Sequence, residues 1–333
     1  MRLLCICHPE AYTRPDLEVP IFYQRLVQDP RVECFHVPVE QVVADPVQVR
    51  VASVLSPLSY ETFLNLDAQA QTVMTLGTAD LVFCRTLKPF PPGYLERLHT
   101  WTHQVRIVND PMGILAQIHP DFLSKVAGSL IPEMVVTHDP AIAAAFLEQH
   151  QVIVAKRSNS CGGRGVFKIW TQDHKFVVDN WVRGLQQFQT MAQVMAAIQV
   201  DPSERLQLMR YLRTVDAGDK RVLVVDGEIY GAYLRKSRSG HWVNNVSADG
   251  ESSLATVTDE ERSVIAQTVE HYRNLGLYTL GYDFLMDEEG IWRISEINAG
   301  NIGGFVRLEM LTGEPVCDRL ITWLIGFSQR DKG

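Results

Sequence analysis

Long apolar runs are missing from this sequence: the richest stretches, at 81–84 and around 323–327, fall far short of the roughly 20 residues that a membrane-spanning helix needs. Residues 3–7 are apolar but run straight into His8-Pro9-Glu10, too short for the core of a secretory signal. A cytoplasmic protein with no membrane partner is expected. A basic surplus is missing too. With 31 Lys and Arg against 39 Asp and Glu the net charge is −8, which opposes a broad nucleic-acid surface, because that must displace phosphate counterions with many cations. Cysteine is sparse, and Cys5, Cys7, Cys34, Cys84, Cys161 and Cys317 show none of the pair-of-pairs spacing of a zinc site. Reduced, buried thiols are expected, except that Cys161 lies in a glycine-rich loop. Two nucleotide signatures are absent: no phosphate loop ends in Gly-Lys-Ser/Thr, and no Gly-x-Gly-x-x-Gly follows a strand.

What is present is enough chain for a large core, with 333 residues of which 46% are hydrophobic, and for two or three domains. The first third alternates apolar strands at 3–7, 32–37, 81–84 and 105–108 with other structure, an α/β pattern. Pro89, Pro91, Pro92 and Gly93 break the chain after the third strand, and Asn109-Asp110-Pro111-Met112-Gly113 ends the fourth with turn chemistry. A boundary is expected near 120. A strand at 134–136 follows, then a helix over 141–149 with Pro140 in its first turn and Thr137 or Asp139 as cap, and a strand at 152–156. Another strand at 166–170 and a helix at 191–198 complete this block. The last third is expected to open with a strand at 206–212. Asp226-Gly227 between apolar runs marks a hairpin, and Thr258-Asp259-Glu260-Glu261 is a capping box ahead of a helix. The expected units are 1–120, 121–200 and 201–333.

Three features carry chemistry. Residues 281–298 read as a hairpin whose second strand places Glu296 and Asn298 on one face, with Asp283 able to fold back beside them. Two carboxylates and an amide suit Mg²⁺, which keeps several waters and takes further oxygens from phosphates. A charged surface hairpin would explain Asp287, Glu288 and Glu289 in the turn, but not Glu296 between Ile294 and Ile297. Second, Gly162, Gly163 and Gly165 follow Arg157-Ser158-Asn159-Ser160-Cys161, and let backbone amides approach oxygens closely; a structural turn is the plainer alternative. Third, Lys156 shares a strand face with Val152 and Val154, where a buried ammonium needs an anion. A strand-end lysine reaching solvent is the alternative.

Lys156 ahead of a glycine loop, the run Gly218-Asp219-Lys220-Arg221-Val222-Leu223-Val224-Val225-Asp226-Gly227-Glu228, and Asp283, Glu296 and Asn298 together resemble the ATP-grasp superfamily, and within it the prokaryotic glutathione synthetase family. The resemblance runs from about residue 80 to the last helix. It implies an α/β (α+β) fold of an open amino-terminal α/β domain and two lobes holding ATP between antiparallel sheets. It implies a ligase: ATP phosphorylates a small acid or peptide, and an amine then attacks the acyl phosphate. By similarity, Lys125 and Lys156 would hold ATP phosphates, Ser160, Gly162, Gly163 and Gly165 would close over them, and Met209, Arg210, Tyr211, Leu212 and Asp219 would line the nucleotide pocket. Asp283, Glu296 and Asn298 would carry Mg²⁺ or Mn²⁺. Arg221 would face the acyl phosphate, and Arg221, Lys236, Asn245, Asn301 and Gly303 would meet substrate. The turn after Asn298, which in the family carries Ser or Thr, is here Ala299-Gly300-Asn301-Ile302-Gly303-Gly304, and Val243 replaces an expected basic residue. These departures put γ-glutamylcysteine and glycine in question and leave room for another acid, another amine, or both; the rival, a nucleotide-binding protein without catalysis, predicts lost metal ligands, and Asp283, Glu296 and Asn298 are all present. The cluster at 323–327 suits core or a contact between copies in a homo-oligomer.

Overall fold

The computed structural model describes residues 1–244 and 250–330. Its strands form three sheets, each from a consecutive stretch of chain. The first holds β1 (Arg2–Cys7), β2 (Glu33–Pro38), β3 (Gln48–Ser53), β4 (Thr72–Thr75), β5 (Leu81–Cys84) and β6 (Arg106–Val108), in the order β4-β3-β2-β1-β5-β6. The four strands read from the sequence are its parallel centre, buried on both faces as parallel strands are. The β3–β4 pair is an antiparallel edge that the sequence reading did not contain. Its alternation is short, and Val73 points to solvent.

The second sheet comprises β7 (Met134–Thr137), β8 (Val152–Lys156), β9 (Val166–Gln172), β10 (Lys175–Asn180), β11 (Gly184–Phe188) and β12 (Leu206–Arg210), ordered β11-β10-β9-β8-β12-β7. Here one expectation fails. The strand expected to open the last third, β12, instead pairs antiparallel with both β7 and β8 and belongs to the second sheet. Its apolar residues Leu206 and Leu208 join a core with Ile153, Ala155 and Ile169, which a strand on the third sheet could not reach. The helices Pro140–His150 and Met191–Ile198 cover this core, the first capped by the Asp139 carboxylate on the Ala141 amide, the second by a Thr190/Gln193 capping box.

The third sheet holds β13 (Asp219–Val225), β14 (Glu228–Ser237), β15 (Gly250–Ala255), β16 (Thr279–Met286) and β17 (Trp292–Asn298), ordered β15-β14-β13-β16-β17 and antiparallel throughout. Asp226 and Gly227 both have positive φ, 52° and 85°, as a two-residue hairpin loop matched to strand twist requires. The helix Asp259–Arg273 opens with the Thr258/Glu261 capping box and packs Ile265, Val269 and Tyr272 on the sheet. Asn109 fastens the first sheet to the third: its buried amide donates to the Thr279 and Ala299 carbonyls and accepts from the Tyr278 and Thr279 amides. No helix among the described residues is long and apolar enough to cross a membrane.

Candidate active site

The second and third sheets face one another across a cleft of about 710 Å³, its open mouth included. Val154, Lys156, Met209, Arg210, Tyr211 and Leu212 line one side, Asp219, Asp283, Leu285, Ser295 and Glu296 the other, and Trp242, Val243 and Asn244 lie at its margin. Strand alternation accounts for both walls. On β8, Lys156 shares the cleft face with Val154, and on the third sheet the register sets Asp283 opposite both Arg221 and Glu296.

A bulge shapes the second wall. Between the pairs Asp283–Glu296 and Phe284–Ile294 the register shifts, leaving Ser295 without a partner across the ladder. Its free carbonyl accepts a hydrogen bond from Lys156 Nζ at 2.7 Å, which joins the two sheets across the cleft. Burial pulls the Lys156 pKa down, and the nearby Glu296, Asp283 and Asp219 carboxylates oppose that shift. The half-buried ammonium thus has one neutral carbonyl as its acceptor and three carboxylates nearby, of which Asp283 and Asp219 are already bonded by arginines.

Asp283, 2% exposed, is held by cations. Its Oδ1 accepts from Arg221 Nε and from Arg235 Nη2 at 2.7 Å, and its Oδ2 from Arg221 Nη2 at 2.8 Å and Asn298 Nδ2 at 3.3 Å. Burial pushes its pKa up, but the two guanidinium groups outweigh burial and hold it below the ordinary carboxylate value. Arg235 also bonds Asp219 Oδ1 at 2.5 Å, yet burial still pushes the Asp219 carboxyl up to about 6. Arg221 uses a third nitrogen on the Gly303 carbonyl at 3.2 Å, which ties the sheet to the turn after β17. Glu296 is different: no described side chain or amide hydrogen-bonds it, although it lines the cleft beside Asp283.

This donor set fits a hard divalent cation that stays partly hydrated, with Glu296 as the open carboxylate and the Asn298 carbonyl oxygen beside it. Asp283 would first have to release the Asn298 amide, and its charge is already offset by two arginines.

Other expected residues lie elsewhere. Lys125, on the short helix Phe122–Ala127, is exposed and does not line the cleft. Lys236 is exposed on the far face of β14. An unbroken ladder from the Asp226-Gly227 turn would put even-numbered residues of β14 toward the site. A bulge at Tyr230 shifts the register by one, so Tyr233 and Arg235 face the site and Lys236 faces away. Asn301 turns toward the first sheet, where its Nδ2 donates to Tyr12 Oη at 2.6 Å and the Arg85 carbonyl at 2.7 Å. Gly303 meets the site only through its carbonyl. Asn245 lies outside the described residues.

The glycine loop is not over the cleft either. Gly162 and Gly163 have φ of 64° and 74°, and Gly165 leaves no room for a side chain, since its Cβ would lie 2.5 Å from that of Ser160. The loop rests instead on residues 88–90: Cys161 Sγ bonds the Lys88 carbonyl at 2.9 Å, and the Phe90 amide bonds Asn159 Oδ1 at 3.0 Å. Sequence reasoning missed Arg235 as the partner of Asp219 and Asp283, and missed Trp242 at the cleft margin. The hairpin signal predicted β14, but a bulge within it carries no signature beyond Gly231, whose φ is 151°.

Solved structures of the same architecture are ATP-grasp ligases. D-alanyl-alanine synthetase A of Vibrio cholerae superimposes with a TM-score of 0.64 at 12% identity, covering 98% of each chain. D-cycloserine synthetase gives 0.61 at 13%, covering 97% of this chain and all of the other, and the ATP-grasp ligase PsnB, solved with a phosphomimetic variant of its minimal precursor, Mg and ADP, gives 0.59 at 14%, covering 98% of each. The glutathione synthetase of Mesorhizobium japonicum is 27% identical over 72% of this chain and 71% of its own, and that of Parasynechococcus marenigrum 23% over 96% and 98%. The chain belongs to the prokaryotic glutathione synthetase family, whose ATP-grasp domain matches residues 122–313. It is an ATP-grasp ligase, an enzyme that forms carbon–nitrogen bonds.

Proposed function

We propose that this protein binds ATP with Mg²⁺ in the cleft between its second and third sheets and joins a small carboxylic acid or peptide to an amine through an acyl phosphate. The observation that carries the reading is Lys156, a half-buried ammonium in the cleft whose acceptor is a neutral carbonyl, facing a carboxylate at Glu296 that no described group bonds. A nucleotide phosphate supplies the anion the lysine needs, and a divalent cation supplies the counter-charge for Glu296.

Met209, Tyr211 and Leu212, with Val154 and Leu285, give the nucleotide an apolar seat. Glu296, Asn298 and Asp283 would hold Mg²⁺, which when bound offsets the charge of the phosphate oxygens. A carboxylate oxygen of the acid attacks the γ-phosphorus and the bond to ADP breaks, with the bridging electron pair leaving on ADP. The amine nitrogen then attacks the acyl carbon, the carbon–oxygen bond breaks, phosphate leaves and the nitrogen gives up a proton. Arg221 is the donor placed at this centre: Asp283 and Gly303 occupy three of its five N–H groups and fix the plane of the rest. Three units, 1–120, 121–210 and 211–333, form the frame, the second extended past the expected 200 to take in β12. A cytoplasmic setting, no membrane or nucleic-acid partner and a homo-oligomeric state complete the reading.

γ-Glutamylcysteine and glycine are the first substrate pair to test. One observation favours a different acid: the turn 299–304 offers no hydroxyl, and its one polar side chain, Asn301, is bonded away toward Tyr12. Release of ADP measured over a panel of acids crossed with amines separates the two. Turnover that needs both γ-glutamylcysteine and glycine supports the first, and turnover with another pair alone supports the second. No ADP release that depends on any acid would contradict the ligase reading.

A further inference from the structure

Two lysines approach Glu296, and only one belongs to the cleft. Lys156 lines it; Lys88, from the segment after β5, does not. Lys88 is 9% exposed, and no described group accepts a hydrogen bond from its ammonium. Its stem lies along the turn after β17, where a Cβ on Gly300 would be 3.9 Å from Lys88 Cε and 3.6 Å from Phe90 Cζ. The backbone here is clamped. The Lys88 carbonyl accepts from Cys161 Sγ at 2.9 Å and Arg164 Nη2 at 3.4 Å, and Asn159 bonds the Phe90 amide. Glu296 is the first charge that bears on Lys88, opposing the downward pull of burial on its pKa. The ammonium has no described acceptor yet keeps some exposure, so its stem is buried while its charged end opens beside the turn, on a backbone that the glycine loop clamps.

We propose that Lys88 binds the carboxylate of the acid substrate, on the first-sheet side of Glu296, while Lys156 binds nucleotide phosphate on the cleft side. This rests on the ATP-grasp reading of the cleft. The acid would then lie along Gly300, beside Lys88 and Phe90, with its carboxylate oriented toward the γ-phosphorus. The absence of hydroxyls in that turn is consistent with this division of work: the anchoring charge comes from the first sheet.

The test uses MgADP with orthovanadate, an anion that occupies the place where the transferred phosphoryl group meets the acceptor oxygen. Affinity for MgADP is measured by calorimetry with and without vanadate in the wild type, Lys88→Met and Lys88→Arg, each checked by thermal melting. The expected result is MgADP affinity within twofold in all three proteins, with vanadate tightening ADP at least tenfold in the wild type, partly in Lys88→Arg and not in Lys88→Met. With an acid that supports turnover, Lys88→Met should raise the KM for that acid at least tenfold and leave the KM for ATP within twofold. Equal vanadate tightening in Lys88→Met, or none in the wild type, overturns the assignment of Lys88. Failure of MgADP to bind the wild type strikes the nucleotide reading itself.

Discussion

Replacing Arg235 by Met tests the charge network behind the cleft. Arg235 lies between two carboxylates, with Nε on Asp219 Oδ1 at 2.5 Å and Nη2 on Asp283 Oδ1 at 2.7 Å, and the side chains are 13%, 9% and 3% exposed. Methionine keeps much of the stem and removes the charge. Asp283 retains Arg221, but Asp219 is left buried with no directly bonded cation, a loss of about 3–5 kcal/mol by the usual cost of breaking a buried pair. The pH dependence has a definite sign. Burial already raises the folded pKa of Asp219 to about 6, above its unfolded value, so its protonated form favours the folded state at lower pH. Without Arg235 that pKa moves higher, and the variant takes up its proton before the wild type does. The deficit should therefore be largest at pH 8 and shrink toward pH 6 by up to about 1.4 kcal/mol per unit, then level off. Urea unfolding followed by tryptophan fluorescence at pH 8, 7 and 6 measures it. A deficit under about 1 kcal/mol, or one that does not change with pH, would refute the assignment of Arg235 as the buried counter-charge.

Glu296→Gln should lower turnover at least about a hundredfold in steady-state ADP release while the melting temperature stays near that of the wild type, because no described group hydrogen-bonds the carboxylate in the fold. Thr258→Ala removes the hydroxyl that accepts the Glu261 amide and should cost about 1 kcal/mol in urea unfolding, with activity unchanged.

Much of the frame was legible because it depends on local rules. The parallel strands of the first sheet are unbroken apolar runs, the Asp226-Gly227 turn needs two positive φ angles, and the Thr258 and Pro140 helix starts are satisfied by neighbours within three residues. The hairpin itself was legible, but Asp283 faces Glu296 only because of the bulge at Ser295, since the unshifted register would pair Asp283 with Ser295. What was not legible depends on partners far along the chain. The sheet to which β12 belongs is decided by pairing with β7 and β8, 69 or more residues and 51 or more residues away. The Tyr230 bulge exchanges Lys236 for Arg235 at the site by a shift of a single residue, which strand periodicity cannot reveal. Lys88 carries no local signal beside the proline-rich break at 89–93, and its burial depends on the turn after β17 and on the glycine loop together.

The most direct measurement is calorimetric binding of a non-hydrolysable ATP analogue with Mg²⁺ to the wild type and to Lys156→Met. Losing a charged hydrogen-bond donor to phosphate should weaken binding by about 1.5–3 kcal/mol, more than tenfold, with the protein still folded. Equal affinity in the two proteins would mean that the cleft between the second and third sheets is not where the nucleotide phosphates lie.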